Sequence, residues 1–215
     1  MATPKEGYFL PDGTKVPGTT TIIGRFKESG GLIHWAWALG KEGKDYKEEQ
    51  RSAANIGTMV HDRVESFVKG LEYEYPLGTT DEARTKVERG FNAYKTWQEH
   101  SKIEIVATEV QLVSLEYRFG GTLDAIGKID EKMVLLDWKA SNSVYSDYLI
   151  QLAAYGHLLH EVRGIDIVGY HLCRFSKDYG DFSHHYYEDL SEAFEAFTLM
   201  RRLYDIDKQL KKRVK

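Results

Sequence analysis

Asp124, Asp137 and Lys139 are the residues whose types and spacing point to chemistry. They lie in "GGTLDAIGKIDEKMVLLDWKAS", residues 120–141, inside segments otherwise apolar enough to be interior strands. If 117–127 and 132–140 form a hairpin with its tip at "IDEK", a two-residue loop and a four-residue loop give the same register. Paired residue numbers then sum to 261, which sets Asp124 opposite Asp137 with Cβ atoms roughly 4.5–5.5 Å apart. Lys139, two residues on, points to the same face. Two part-buried carboxylates this close repel, so either one is protonated or both bind a hard cation through oxygen. The neighbouring ammonium favours ionised acids and so argues for the cation, Mg²⁺ or Mn²⁺. A lysine beside activated water can orient it, help deprotonate it or stabilise charge building on a phosphate. That is equipment for cutting a phosphodiester. The competing reading of D-x-K alone is a solvated ion-pair trio on an edge hairpin, and the interior character of "MVLL" and "GGTLDAIG" counts against it.

The elements that position these residues can be read from periodicity. "GYFLPDGTKVPGTTTIIGRF" reads as a strand, an Asp12–Gly13 turn and a second strand or extended segment. "GGLIHWAWALGKEG" reads as a short helix with Ile33 and Trp37 on one face. Helical spacing continues from Asp45 to Lys69, with Val60, Val64, Phe67 and Val68 as the apolar stripe, and from Asp81 to His100, with Val87, Phe91, Tyr94 and Trp97. The period then changes to strands at 103–113, 117–127 and 132–140, a helix at 147–162, strands at 165–175 and 182–188, and a final amphipathic helix from Leu190 to Lys212. This order predicts an α/β fold: a central mixed β-sheet flanked by helices, with an N-terminal helical extension. One domain over 1–215 is expected, mainly helical over 1–100, with the sheet over 101–188 and the last helix over 189–215.

The bulk numbers agree with a globular chain. Of 215 residues 42% are apolar and 29% charged, and the net charge of −4 excludes a uniformly basic nucleic-acid binder without excluding local basic patches. A single cysteine, Cys173, leaves no thiolate cluster for zinc or iron–sulfur. The sequence shows no signal segment or membrane-spanning run, so a cytoplasmic protein without membrane contact is expected.

"GTLDAIG", "LLDWKAS" and, twelve residues after Lys139, "QLAAY" resemble the PD-(D/E)xK nuclease superfamily. The similarity is to its RecB-like branch, with its restriction-endonuclease-like core, which includes phage exonucleases and the mitochondrial genome maintenance exonuclease. "GTMVHDRVE" resembles the helical histidine motif of that branch, and the whole resemblance runs from about residue 17 to 160. It implies that Asp124, Asp137, the backbone carbonyl of Trp138 and His61 hold one or two Mg²⁺ or Mn²⁺ ions, the histidine favouring Mn²⁺. It implies that Lys139 acts on the attacking water, and that Gln151 and Tyr155 face the site. Glu109 is placed on the face of Ile103, Ile105 and Ala107, as a supporting acid. Glu65 is either a further support or a simple i, i+4 partner of His61. Relatives that carry an iron–sulfur cluster use four cysteines, which this chain lacks.

The resulting expectation is a metal-dependent DNA exonuclease acting on single strands or free ends, in phage or bacterial recombination, replication or repair, with DNA and recombination or replication proteins as its partners. The alternatives are an endonuclease of the same fold and a non-catalytic nucleic-acid-binding module. Arg201, Arg202, Lys211 and Lys212 are candidate phosphate contacts. Trp35 and Trp37 read as core, with base stacking as the functional alternative.

Overall fold

The computed structural model describes residues 4–27, 29–141, 143–176 and 178–214. A small hairpin, β1 (Tyr8–Phe9) and β2 (Lys15–Val16), precedes four helices, α1 (Thr19–Phe26), α2 (Gly30–Lys41), α3 (Tyr46–Val68) and α4 (Asp81–His100). The main sheet follows: β3 (Glu104–Ser114), β4 (Phe119–Ile129) and β5 (Lys132–Lys139), then α5 (Ser146–Arg163), β6 (Tyr170–Phe175), β7 (Phe182–Tyr187) and α6 (Ser191–Arg213). Its five strands lie in chain order. The β5–β6 pair is parallel and the other three pairs are antiparallel. The sheet is therefore mixed, because α5 serves as the crossover that a parallel pair requires. Among the described residues, no helix is long and apolar enough to cross a membrane.

Helices cover both faces. On one, Val64 of α3 and Phe91, Tyr94 and Trp97 of α4 pack against Val134, Leu136, Trp138, Cys173 and Phe175. On the other, α1, α5 and α6 bury Ile22, Ile23, Leu152, Leu158 and Phe197 against Phe119, Leu123, Leu135 and Leu172. Residues 151–156 of α5 are buried all round the helix, as expected for an element enclosed by a sheet and two other helices. It ends at Gly164 in the left-handed conformation, φ 64°, where glycine carries no Cβ penalty.

Three expectations change. Thr19–Phe26 is a helix, not a strand. The β-branched run "TTTII" favours a strand locally, but as a helix it aims Ile22 and Ile23 into the core together. The strand expected over 165–175 begins only at Tyr170. Finally, Trp35 and Trp37 are exposed rather than core, as is Ile33, because the main packing of α2 is against the neighbouring α3 and leaves much of its surface to solvent.

Paired glycines bring two tyrosines onto opposite faces of β4. A Cβ on Gly120 would lie 2.2 Å from the Tyr8 ring, and one on Gly121 would lie 2.5 Å from the Tyr155 ring. Gly121→Ala is therefore expected to cost about 1–3 kcal/mol of stability by overpacking, read as a lower denaturant midpoint, and to displace Tyr155.

Candidate active site

The β4–β5 hairpin turns on Asp130 and Glu131, both at positive φ (46° and 66°). This is the two-residue, primed type of turn that matches strand twist. Ladder partners run from Ile129↔Lys132 to Ala125↔Leu136, so the register is the one expected and its next rung sets Asp124 against Asp137. That rung is not an ordinary ladder pair: Asp124 Oδ2 accepts the Trp138 backbone N–H at 2.8 Å. The carboxylate has taken a donor from the neighbouring strand, which locks it beside Asp137. Both aspartates have 0% exposure. Lys139 Nζ sits 2.5 Å from Asp137 Oδ2 and 5.1 Å from the centre of the Tyr148 ring.

His61 arrives from α3, with Nδ1 3.8 Å from Asp124 Oδ2. Burial, with the Lys139 charge adding to it, holds this imidazole well below its ordinary pKa, against an opposing hydrogen bond with the Trp138 backbone. It is therefore neutral at pH 7 and keeps a lone pair. Gln151 Nε2 donates to Tyr155 Oη at 2.9 Å on α5. Burial, then the Asp137 and Asp124 charges, raises the Tyr155 phenol, so it stays protonated.

Glu109 is half-buried at φ 52°. Its carboxyl is pushed up to about 7 by burial and then by Asp124, which places it electrically within the same site. The route differs from the one expected. A bulge between Ile105 and Ala107 shifts the register of β3. Ile105 packs on the α4 side and Ala107 on the α5 side, so the anticipated common face does not exist.

The electrostatics of the pair are those of repulsion in a dry place. Burial, with Asp124 adding to it and Lys139 opposing, pushes Asp137 up to about 7. Burial also raises Asp124. Burial alone would lower the Lys139 ammonium, but Asp137 and Asp124 outweigh it and raise its pKa. Asp124 Oδ1, Asp137 Oδ1 and His61 Nδ1 are buried without a hydrogen-bond partner. Orphaned polar atoms of this kind are uncommon in folded proteins and call for an explanation. Two carboxylate oxygens and an imidazole nitrogen match in kind the donor set of a divalent ion such as Mn²⁺, although their ligand atoms do not all lie within 4.8 Å of one another, as those of Glu116, His157 and Glu161 do.

A cleft of about 360 Å³ opens onto His61 and Lys139. One wall is α3, through Ala53, Ala54, Gly57 and Thr58, and the other is Ala140, Ser141 and Tyr148. A larger hollow, about 590 Å³, lies between α3 and the segment 76–83 and includes none of the candidate site residues.

Other candidates lie apart. Glu65 pairs with Lys69, not His61. Arg201 is buried, donating to the Tyr117 carbonyl and pairing with Asp205, so its guanidinium is committed to the fold. Lys211 pairs with Asp207. Arg202 and Lys212 are exposed, and none of these four cations lines the cleft. Tyr148 was not anticipated, although its spacing of three and seven from Gln151 and Tyr155 marks one helix face.

A second imidazole–carboxylate group was also missed. Ligand atoms of Glu116, His157 and Glu161 lie within 4.8 Å of one another. Glu161 Oε1 accepts the Leu115 and Glu116 backbone N–H groups, clasping the β3–β4 turn to α5. It is a separate place: from Phe119, just after that turn, to Asp124 is roughly 17 Å of strand.

A family model described as the PD-(D/E)XK nuclease superfamily matches residues 27–199. No curated protein matches the sequence significantly. Among solved structures, a protein of Eubacterium rectale provisionally designated an exonuclease shares 14% identity with a TM-score of 0.50, over 72% of this chain and 68% of that one. The alkaline exonuclease LHK-Exo of Laribacter hongkongensis is a looser match, at 13% identity and a TM-score of 0.36, over 74% of this chain and 85% of that one.

Proposed function

Because the chain belongs to the PD-(D/E)XK nuclease superfamily, we propose that it is a divalent-metal-dependent DNA exonuclease. Its substrates are single strands or free ends, and its setting is phage or bacterial recombination, replication or repair, as one catalytic domain in the cytoplasm. The observation that carries this reading is the fully buried Asp124–Asp137 pair with Lys139 against it. A fold does not keep like charges in its interior, with orphaned oxygens, for stability's sake.

In this reading Asp124, Asp137, His61 and the Trp138 carbonyl hold Mg²⁺ or Mn²⁺. When bound, the ion supplies Lewis acidity toward a phosphoryl oxygen and makes water more acidic. The protein does the rest by placement. Lys139, kept protonated by Asp137, presents N–H donors to the attacking water and to the charge that grows on the phosphate. Asp137 holds that ammonium in line while itself facing the cation. Neutral Tyr155, oriented by Gln151, offers a donor at the site's inner wall, and Glu109 adds negative charge beside Asp124. The small residues Ala53, Ala54 and Gly57 of α3 line the cleft, and in this reading they admit an unpaired strand.

The test uses four substrates, linear and covalently closed circles in single- and double-stranded form, with Mg²⁺ or Mn²⁺. Linear single strands are expected to be degraded from an end, circles to survive, and Mn²⁺ to support the faster rate. His61→Ala should raise the Mn²⁺ concentration for half-maximal rate at least tenfold, on the order seen when metal-site contacts are removed. Opened circles would make the enzyme an endonuclease. Strand binding without turnover in either metal would make it a binding module.

A further inference from the structure

The first turn of α5 carries an aromatic feature that the chemistry above does not use. Tyr148 lines the catalytic cleft and lies under the Lys139 ammonium. Its ring meets the Tyr145 ring edge to face, with centroids 5.5 Å apart, so Tyr145 is one ring removed from the catalytic amine. Tyr145 itself is 48% exposed and makes no side-chain cap for the helix that follows it. It also lines a separate cavity of about 230 Å³, with an apolar floor of Ile23, Phe26, Ile150 and Met200 and with Lys27 and Asp147 at its edge. Lys27 stands at the rim, 2.7 Å from Asp147 and 5.1 Å from the Tyr145 ring centre.

Three properties of this place converge. The cavity is smaller than the pockets that take drug-sized ligands, which suits one flat ring and excludes a base pair. Its wall is the half-exposed Tyr145 ring beside an apolar floor; Lys27 Nζ lies over that ring, and where it swings aside the ring offers a surface on which a nucleobase stacks irrespective of its identity. Its rim holds the Lys27 ammonium, paired with Asp147; a surface pair of this kind is worth about 0–1 kcal/mol, so the ammonium can exchange that carboxylate for a phosphate. The location adjoins the cleft through two touching rings, Tyr145 and Tyr148, the second of which lies under the Lys139 ammonium.

We propose that this cavity is a base-binding subsite for an unpaired nucleotide next to the scissile phosphate. The base stacks on Tyr145 with its edge in the hollow between α1, α5 and α6, and Lys27 meets the phosphate beyond it. The proposal rests on the nuclease reading and adds to it a physical selector for single strands: a base already paired cannot enter.

The experiment uses linear single-stranded oligonucleotides carrying 2-aminopurine at one position, moved stepwise from the end. Ca²⁺ replaces Mn²⁺ for the fluorescence measurement, to limit turnover, and cleavage is measured separately with Mn²⁺. Quenching at one position is expected for the wild type and for Tyr145→Phe, and its loss for Tyr145→Ala. The alanine variant should bind single strands about 5- to 100-fold more weakly, with a larger change in KM than in kcat. An abasic residue at the quenched position should cost the wild type the same factor and cost Tyr145→Ala nothing more. Tyr145 is half exposed, so its truncation leaves the core intact, and full rescue by Tyr145→Phe checks this. If the wild type cuts no nucleic acid, the nuclease reading fails and the subsite falls with it. If it cuts, and Tyr145→Ala matches it in quenching and KM, the subsite alone is overturned.

Discussion

Lys139→Ala is expected to lower the rate of DNA cleavage about a thousandfold at saturating Mn²⁺ while leaving metal affinity equal or higher. The rate loss follows from removing the ammonium beside the reacting centre; a positioned donor or proton-transfer group is worth about 10²–10⁴ in rate. The affinity change follows from charge. An ammonium 2.5 Å from Asp137 competes with any cation for that carboxylate, so its loss strengthens the pull on a divalent ion. Stability is not expected to collapse. Removing one partner of a buried ion pair costs about 3–5 kcal/mol when the survivor must stay charged, but Asp137, already raised to about 7, can accept a proton instead. Single-turnover digestion of end-labelled DNA, with a parallel Mn²⁺ titration, checks both halves. A variant as fast as the wild type at saturating metal would leave Lys139 as a structural ion only.

The second large effect is on stability, and its sign depends on metal. Asp137 titrates near 7 in the folded protein against an ordinary value near 4 when unfolded. A group raised by folding contributes stability that is full below its unfolded pKa and is lost as pH rises through its folded one. In EDTA this carboxyl therefore withdraws stability between about pH 4 and pH 7, at about 1.4 kcal/mol per unit, a few kcal/mol in all. Asp137→Asn keeps the shape and removes the charge. It should melt higher than the wild type in EDTA at pH 7.5, by about 4–8 °C for a gain on the order of 2 kcal/mol in a chain of this size. Added Mn²⁺ should reverse the order, since a ligand at a hundred times its Kd stabilises by about 2.7 kcal/mol and only the wild type retains the site. Thermal melts with and without Mn²⁺ decide it. A variant less stable than wild type in EDTA, with a wild type indifferent to Mn²⁺, would contradict the account. The trade is the usual one of a functional site, in which groups placed for chemistry weaken the fold that holds them.

How much of this was legible beforehand depended on how local the signal was. The Asp124–Asp137 opposition was readable because it needs only two apolar strands and a short turn, and both loop lengths share one register. The helix over Asp81–His100 was readable because its four apolar anchors repeat at the helical period and all are buried. Thr19–Phe26 was misread because β-branched residues favour a strand until the core they fill is known. The exposure of Trp35 and Trp37 could not be inferred, since a helix rich in aromatics looks like core from its own sequence. Arg201 looked available for phosphate because its partners, Asp205 and the Tyr117 carbonyl, come partly from 84 residues away. The Tyr145 cavity needs α1, α5 and α6 together, and no stretch of sequence contains it.

The central claim is that Asp124 and Asp137, with His61, hold a divalent cation beside Lys139. Anomalous scattering from crystals grown with Mn²⁺ tests it most directly. The account predicts a peak within coordination distance of both aspartates and the His61 imidazole. A peak at Glu116, His157 and Glu161 alone, or none at the aspartates under saturating Mn²⁺, would contradict it.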